Sequence, residues 1–211
     1  MSKVLNNFYA EDTLEVGLDE VGRGPLFGRV YVGACIFPPE GDHSLIRDSK
    51  KLSERKRQIA ADYIKENAID SVVYWEDEKK VDEINILQAT QLAMHNAITK
   101  LDVRPDLILV DGTYFKPYID PANRIIPHVC IDGGDDKYIS IAAASVLAKV
   151  ARDQYIYDLC DKYDNLDEYY GIRSNKGYGA KKHMEGIKAY GVTEWHRKSF
   201  RPCRAGYFNK I

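Results

Sequence analysis

The sequence has little of what marks secreted, membrane-spanning or zinc-binding proteins. Only four cysteines occur in 211 residues and none lies in a C-x-x-C pair, so neither a disulfide framework nor a zinc site is predicted. No apolar run approaches the roughly 20 residues that a membrane-spanning helix needs. The N-terminus also lacks the apolar h-region of a secretory signal. We therefore expect a cytoplasmic protein without membrane contact.

Net charge is also small, at -2, but the charges are unevenly distributed. Residues 171–211 contain ten Lys and Arg against two Glu, a net of +8, so the first 170 residues have a net of -10. A basic C-terminal segment beside an acidic body suits a protein that binds phosphates with one part and metal ions with another. A pair of solvated charged helices would give the same pattern.

Hydrophobic patterning predicts an α/β domain with a mixed sheet. Strands are predicted at residues 14–19, 30–37, 70–75 and 107–110, with a weaker fifth at 124–131 that Pro127 interrupts. Helices are predicted after the N-cap residue Ser53, at 84–101, at 139–163 and from near Ala180. Strands that first follow one another and then alternate with helices favour a single domain, whose ligands gather at the carboxyl ends of central strands.

Acidic residues follow several of these predicted strands. Asp19 and Glu20 end the first strand, Asp111 ends the fourth, and Asp135 precedes the alanine-rich helix. Four carboxylates at one sheet edge would suit a hard divalent cation such as Mg²⁺. Each signal is weak alone, because an Asp after a strand is often a turn residue. Asp19 and Glu20 also share a site only if the strand twists or ends there, since adjacent strand residues point to opposite faces.

The glycines after the first strand do not form a dinucleotide-binding fingerprint. The pattern from Gly22 through Gly24 to Gly28 is one residue too long, and a strand follows it rather than a helix. A Gly-Arg-Gly turn instead lets backbone amides come close to a ligand, with Arg23 available for a phosphate. Ser145 lies in AAASV rather than in a nucleophile elbow, which argues against a serine hydrolase.

At this point the sequence resembles a known family. The segment DEVGRGPLFG, at 19–28, is similar to the opening signature of ribonuclease HII, and further blocks of that family follow in order along almost the whole chain. They are DSKKLS at 48–53, NILQAT at 85–90, VDG at 110–112, GDDK at 134–137, SIAAAS through AKVARD at 140–153, NKGYG at 175–179 with His183, and HRKSF at 196–200.

The resemblance implies a fold and a metal site. It implies a ribonuclease H-like five-stranded mixed sheet flanked by helices, in one domain of residues 1–211, with a catalytic core at about 14–160 and a basic C-terminal helical segment at about 161–211. The family's four catalytic, metal-binding carboxylates fall on Asp19, Glu20, Asp111 and Asp135. Asp132 and Asp136 crowd the last position, and Asp135 is chosen because it keeps the Asp-x-Lys spacing.

The resemblance also implies an activity. A member of this family is expected to hydrolyse the RNA strand of RNA–DNA hybrids and to cut 5′ of ribonucleotides embedded in duplex DNA, leaving a 3′-hydroxyl and a 5′-phosphate, with Mg²⁺ or Mn²⁺ as cofactor. Its Gly-Arg-Gly motif falls on Gly22, Arg23 and Gly24, and its substrate-sensing tyrosine on Tyr178. Lys50 and Lys51 are further candidates for contacts with the nucleic-acid backbone.

Some features separate this chain from relatives and rivals. Arg23 favours ribonuclease HII over ribonuclease HIII, which lacks that arginine and has an added N-terminal domain. Phe27 and Arg29 replace the small residue and the proline expected around Gly28. The chain ends in FNKI without a sliding-clamp motif, and we expect a monomer.

Two other functions remain possible at this stage. A catalytically weak hybrid-binding protein of the same fold would be expected to lack a carboxylate, and a phosphohydrolase of small phosphates would not need Tyr178.

Overall fold

A five-stranded mixed sheet lies at the centre of the protein. The computed structural model describes residues 4–205, so the terminal FNKI lies outside the described residues. The strands within the described residues are β1 (Glu15–Val21), β2 (Val30–Ile36), β3 (Asp70–Glu76), β4 (Leu107–Asp111), β5 (Tyr118–Ile119), β6 (Ile125–Ile126) and β7 (His128–Ile131). The central sheet has the order β3-β2-β1-β4-β7, while β5 and β6 form a separate hairpin. The predicted five-stranded mixed sheet is confirmed.

In the part of the chain that the structure describes, six α-helices accompany the strands. They are α1 (Glu54–Asn67), α2 (Glu78–Thr99), α3 (Ile139–Lys162), α4 (Asp164–Tyr170), α5 (Ile172–Asn175) and α6 (Lys181–Tyr190). α1 begins as predicted, because the Ser53 side chain accepts a hydrogen bond from the Lys56 amide. No helix within residues 4–205 is both long and apolar enough to cross a lipid bilayer.

The strand directions open a crevice at one edge of the sheet. β1 pairs antiparallel with β2 from Gly17 to Val21, but its parallel pairing with β4 ends where Leu18 faces Val110. Asp19 and Glu20 therefore lie beyond the end of the β1–β4 ladder. β4 and β7 are also parallel, so the carboxyl ends of three neighbouring strands meet at this edge.

The alanine-rich helix α3 covers one face of the sheet at unusually close range. A Cβ added to Gly17 would lie 2.1 Å from the Ser140 carbonyl carbon, and one added to Gly33 would lie 2.1 Å from the Ala144 carbonyl oxygen. Glycine in β1 and β2 and alanine in α3 are thus required for helix and sheet to pack backbone against backbone. On the opposite face, Val16 and Leu18 pack with the Ala93 and Met94 side chains of α2.

Several element boundaries differ from the sequence prediction. β1 does not end at Asp19 but continues to Val21, because Val21 still pairs with Tyr31 of β2. The weak fifth strand is divided into β6 and β7 at Pro127, which has no N–H for a ladder bond. α2 begins at Glu78, six residues before the predicted start, and its path is kinked at Asn85, where φ is 68°.

The C-terminal helices form a second layer around the end of α3. Buried side chains of α3, α4, α5 and α6 pack against Leu26 and Phe27, which belong to the loop between β1 and β2. This cluster contains Ile156, Cys160, Leu166, Tyr170, Ile172, Ile187 and Cys203. The basic segment is thereby fixed beside the loop that leaves the end of β1.

Candidate active site

Three carboxylates meet at the open edge of the sheet. Asp19 lies on β1, Asp111 is the last residue of β4, and Asp135 lies in the short 3-10 turn between β7 and α3. One carboxylate oxygen from each lies within 4.8 Å of the other two. The sheet topology explains this meeting, because β1 and β4 are parallel neighbours and the turn follows the adjacent strand.

Asp19 is buried, with 5% of its surface exposed, much as Asp135 is at 4%. One of its carboxylate oxygens accepts a hydrogen bond from the Glu20 amide at 2.7 Å. Burial, followed by the negative charge of Asp111, raises the pKa of Asp19 well above its usual range, whereas a hydrogen bond from Ser145 lowers it. The Ser145 hydroxyl in turn lies 3.0 Å from that of Ser49.

Asp111 and Asp135 receive partial compensation for their charge. The Gly134 amide donates to Asp111 at 2.7 Å, and the Lys50 ammonium lies 3.0 Å from Asp135. Burial and the charge of Asp135 nevertheless raise the pKa of Asp111. Of the two competing aspartates, Asp135 is buried and joins the group, whereas Asp136 forms an ion pair with Lys51 at 2.6 Å.

Glu20 lies next to this group but is not one of its three members. Because β1 continues past it, its side chain takes the other direction from that of Asp19 and pairs with Arg23 at 3.1 Å. Burial raises the pKa of Glu20, and the hydrogen bond from Arg23 works against that rise. The repulsion between Glu20 and Asp111 also contributes to the raised pKa, so the two side chains share one electrostatic environment.

The chemistry of this donor set fits a hard divalent cation. Three carboxylates converge within 4.8 Å, and the pKa values of Asp19 and Asp111 are raised partly because like charges are crowded together. A divalent cation would remove that repulsion, and carboxylate oxygens are the ligands that Mg²⁺ and Mn²⁺ prefer. The three clustered carboxylates can therefore bind such an ion, with Glu20 adjacent.

The loop after β1 brings a second group of predicted residues beside the first. Gly22 has a φ of 91°, a conformation that favours glycine, and the chain then turns through the exposed Arg23 and Gly24. A Cβ added to Gly24 would lie 3.4 Å from a ring carbon of Tyr178. The exposed Tyr178 ring and the Gly-Arg-Gly turn thus form one continuous surface next to Glu20.

Two predicted phosphate-binding lysines lie beside Asp135 and Asp136. Lys50 and Lys51 belong to a short 3-10 turn after Asp48, whose side chain accepts from the Lys50 amide. Both ammonium groups remain well exposed while they pair with Asp135 and Asp136. The structure therefore places all the predicted site residues along one edge of the molecule.

The sequence reasoning missed the residues that support this edge. The most prominent are Arg152 and Arg197, both fully buried, which hydrogen-bond to backbone carbonyls rather than to carboxylates. His183 and His196 were not expected to meet, yet their Nε2 atoms lie 3.0 Å apart. Arg197 and His196 lie in the HRKSF block. That block is the only sequence signal for these two residues, and the resemblance assigns no function to it.

Comparisons with known proteins agree with this geometry. The family model described as Ribonuclease HII matches residues 16–203. Among curated proteins, the ribonuclease HII of Christiangramia forsetii is 45% identical over 195 residues, which cover 92% of this chain and 94% of that protein.

Solved structures share the same fold. The ribonuclease H2 of Pyrococcus horikoshii OT3 superposes with a TM-score of 0.74 at 24% identity, covering 92% of this chain and 97% of that one. Bst-RNase HIII, solved in complex with Mn²⁺, superposes with a TM-score of 0.62 at 20% identity, covering 90% of this chain and 68% of the other. At these identities the likeness concerns the fold alone.

Proposed function

The chain belongs to the ribonuclease HII family, and on that premise we propose that it cuts 5′ of ribonucleotides in duplex DNA as well as the RNA strand of RNA–DNA hybrids. It is a ribonuclease H hydrolase by family. The proposed products are a 3′-hydroxyl and a 5′-phosphate. The observation that supports the proposal most is the cluster of Asp19, Asp111 and Asp135 beside a Gly-Arg-Gly turn and an exposed tyrosine.

In the proposed reaction, the clustered carboxylates are assigned to metal binding. Asp19, Asp111 and Asp135 would hold Mg²⁺ or Mn²⁺, with Glu20 adjacent. When bound, such an ion supplies Lewis-acid stabilisation of the phosphodiester and an activated water. The support for a metal is the donor set itself, together with the Mn²⁺ bound by the related fold of Bst-RNase HIII.

Recognition of the ribonucleotide is assigned to the neighbouring surface. The backbone of Gly22, Arg23 and Gly24 can approach the sugar closely, and the Tyr178 ring can stack on it or hydrogen-bond with its hydroxyl. Only the 2′-hydroxyl distinguishes RNA from DNA at such a position. Lys50, Lys51 and the basic C-terminal segment would bind phosphates, which positions the duplex without reading its sequence.

We propose further that the enzyme is active as a monomer. All the carboxylates of the site, the Gly-Arg-Gly turn and Tyr178 come from one chain, so no second copy is needed to complete it. Light scattering at the concentration of the cleavage assay would measure the mass. A dimer at that concentration would contradict this part of the proposal.

The decisive experiment is cleavage of a labelled duplex DNA that carries one ribonucleotide, in the presence of Mg²⁺ and separately of Mn²⁺. The expected result is a single cut on the 5′ side of the ribonucleotide, with a ligatable 3′-hydroxyl and a 5′-phosphate on the two fragments. A matched duplex without the ribonucleotide is the control and should stay intact. Binding of both duplexes without any cleavage would instead indicate a catalytically weak hybrid-binding protein.

A further inference from the structure

Arg197 is fully buried, and within residues 4–205 its guanidinium donates hydrogen bonds only to the backbone of the loop between β1 and β2. Its guanidinium donates to the carbonyl oxygens of Gly22 at 2.6 Å, Arg23 at 3.0 Å, Pro25 at 2.8 Å and Gly28 at 2.9 Å. Its exposed fraction is 0%, and no carboxylate within residues 4–205 forms an ion pair with it. Burial lowers the pKa of Arg197 to about 9, so the side chain still carries its charge at neutral pH.

A buried cation that forms no ion pair is costly, and the negative charges of Glu78 and Asp82 offset only part of that cost, because the pKa of Arg197 stays lowered. Only arginine has a planar fork of five donors, which can bind several carbonyls of one loop at once. The four carbonyls span seven residues, from 22 to 28, so Arg197 fixes the path of almost the whole loop.

The carbonyls bound by Arg197 determine where the loop amides point. In a trans peptide the C=O and the following N–H point in opposite directions, and no cis peptide occurs in the described part of the chain. The Gly22 carbonyl shares its peptide plane with the Arg23 amide, and the Arg23 carbonyl shares its plane with the Gly24 amide. Because Arg197 binds both carbonyls from inside, the Arg23 and Gly24 amides are turned away from the protein interior.

These two amides are available to a ligand. Arg23 and Gly24 are exposed, and within residues 4–205 neither amide donates to another protein group. The peptide between Pro25 and Leu26 is used differently, because the Leu26 amide, opposite the Pro25 carbonyl, donates to the Gly177 carbonyl at 2.8 Å. That hydrogen bond joins the loop to Gly177, the residue before Tyr178. Arg197 therefore also helps to fix the position of the loop relative to the tyrosine.

The position of Arg197 is itself fixed by other elements. Its own amide donates to the Leu26 carbonyl at 2.8 Å, and the Gly28 amide donates to the Trp195 carbonyl at 2.8 Å. On the far side, the Asp82 carboxylate of α2 accepts from the amides of Lys198 and Ser199, both at 2.8 Å. Arg197 therefore belongs to a segment that cannot shift without breaking hydrogen bonds of its backbone on both sides.

We propose that Arg197 is a positioning residue for ribonucleotide recognition, acting through two peptide planes to present the Arg23 and Gly24 amides beside Tyr178. The inference rests on the proposed function, since the group that the amides would meet is a sugar hydroxyl or phosphate oxygen of a ribonucleotide. Arg197 itself would not touch the substrate. Its loss would relax the loop and leave the carboxylates in place.

The test compares Arg197→Lys with the wild type and with Ile64→Ala. Lysine keeps the charge but lacks the planar fork, whereas Ile64 is a buried residue of α1 that packs in a different core cluster from the loop, so Ile64→Ala is a control for reduced stability. Single-turnover cleavage at one embedded ribonucleotide should slow by on the order of a hundred-fold in Arg197→Lys. Affinity for the matched all-DNA duplex should stay within about two-fold, because the phosphate-binding lysines are intact.

Several outcomes would overturn the inference. A folded Arg197→Lys variant that cleaves at the wild-type rate would do so, and so would an equal slowing in Ile64→Ala at a matched decrease in melting temperature. Failure of the wild type to cleave the duplex with one ribonucleotide would count against the proposed function instead.

A second measurement uses the wild-type protein alone, in case Arg197→Lys does not fold. In metal-free buffer, the amide resonances of Arg23 and Gly24 should shift when the duplex with one ribonucleotide is added. They should shift much less with the matched all-DNA duplex. Equal responses to the two duplexes would show that these amides do not read the ribonucleotide and would overturn the inference.

Discussion

At the residue scale, the carboxylate cluster lowers the stability of the folded protein but provides a site for a cation. Asp19 is buried beside two other acids, so its charged form is disfavoured in the folded protein and its pKa is raised. The charge of a carboxylate in this position therefore does not stabilise the folded protein. The same crowding makes the site receptive to a divalent cation.

We therefore expect Asp19→Asn and Asp111→Asn to abolish cleavage while the protein stays folded. In metal-free buffer, each should raise the free energy of unfolding by on the order of 1 kcal/mol, because a like-charge repulsion is removed. Addition of Mg²⁺ or Mn²⁺ should stabilise the wild type and have less effect on either variant. Asp132→Asn changes an exposed neighbouring acid and is the control. Near-normal cleavage by either variant at ordinary Mg²⁺ would remove that residue from the mechanism.

Tyr178 allows a second test at this scale, because 47% of its surface is exposed beside Gly24. Tyr178→Ala should sharply reduce cleavage at a single embedded ribonucleotide, with little change in melting temperature. Tyr178→Phe should be less harmful if stacking dominates, and as harmful if the hydroxyl group makes the contact. The exposed Tyr190 provides the control variant Tyr190→Ala. Full activity of Tyr178→Ala would mean that the ribonucleotide is recognised by other groups.

The sequence alone indicates the groups that would touch a substrate better than the groups that support them. Asp19, Asp111 and Asp135 could be located because each follows a strand or precedes a helix, and strand ends gather at one edge. The role of Arg197 could not be predicted, because its four partners are carbonyls and any residue supplies a carbonyl. The Asp-x-Lys spacing selects Asp135 over Asp136, and the three-residue turn places Asp135 with the other two carboxylates.

At the element scale, the helices that were missed are the short ones. α4 and α5 contain seven and four residues, too few for a hydrophobic period to be recognised. The kink in α2 was missed because Asn85 resembles an ordinary helical residue in the sequence. In the structure, its side chain accepts from the Gln88 amide at 3.1 Å and caps the second part of the helix.

α6 carries a testable part of the basic segment. Lys181 and Lys182 are exposed at its first turn, a few residues after Tyr178. If they bind phosphates, hybrid affinity should fall steeply with salt, and Lys181→Gln with Lys182→Gln should flatten the log–log slope by about 0.9 for each phosphate that is no longer neutralised. Lys65→Gln on α1 is the control for a change of net charge alone. An unchanged slope in the double variant would mean that α6 faces away from the nucleic acid.

The buried histidine pair joins α6 to the segment that contains Arg197, and it predicts a pH dependence. Burial lowers the pKa of His183, and burial together with the repulsion from His183 lowers that of His196 to about 3. The unfolded chain thus binds protons below about pH 6.5 that the folded protein does not bind. Stability from this pair is fully present above that pH and is lost as the pH falls towards 3, by at most about 1.4 kcal/mol per histidine and pH unit.

Urea unfolding at pH 7.5, 6.5 and 5.5 would measure this decrease. The matched variant is His196→Gln, whose free energy of unfolding should vary less with pH than that of the wild type. Other groups also make the stability depend on pH: the lowered pKa of His95 acts in the same direction, and the raised pKa values of Asp19 and Asp111 act in the opposite direction. The measured quantity is therefore the difference between the wild type and His196→Gln. Parallel pH profiles would contradict the prediction.

At the scale of the whole molecule, the acidic sheet edge and the basic segment are separate in sequence and adjacent in space. The loop between β1 and β2 lies between them, bonded to the segment at Leu26, Gly28 and four carbonyls. A cation site and a phosphate-binding surface must both contact one phosphodiester if the enzyme is to cut it. We therefore propose that core and segment fold as one cooperative domain.

The two tryptophans test this proposal, because one lies in each part. Trp75 is on β3 of the sheet, and Trp195 packs against Phe27 and Tyr163 in the C-terminal segment. Trp195→Phe leaves fluorescence that reports only on the sheet, whereas Trp75→Phe leaves fluorescence that reports only on the segment. In each variant, the urea transition seen by tryptophan fluorescence should coincide with the one seen by far-ultraviolet circular dichroism, since Leu26 and Phe27 of the core and Leu166 of the segment pack in one hydrophobic cluster. An earlier fluorescence transition in Trp75→Phe would show that the segment detaches while the sheet stays folded, and the catalytic core would then be a domain of its own.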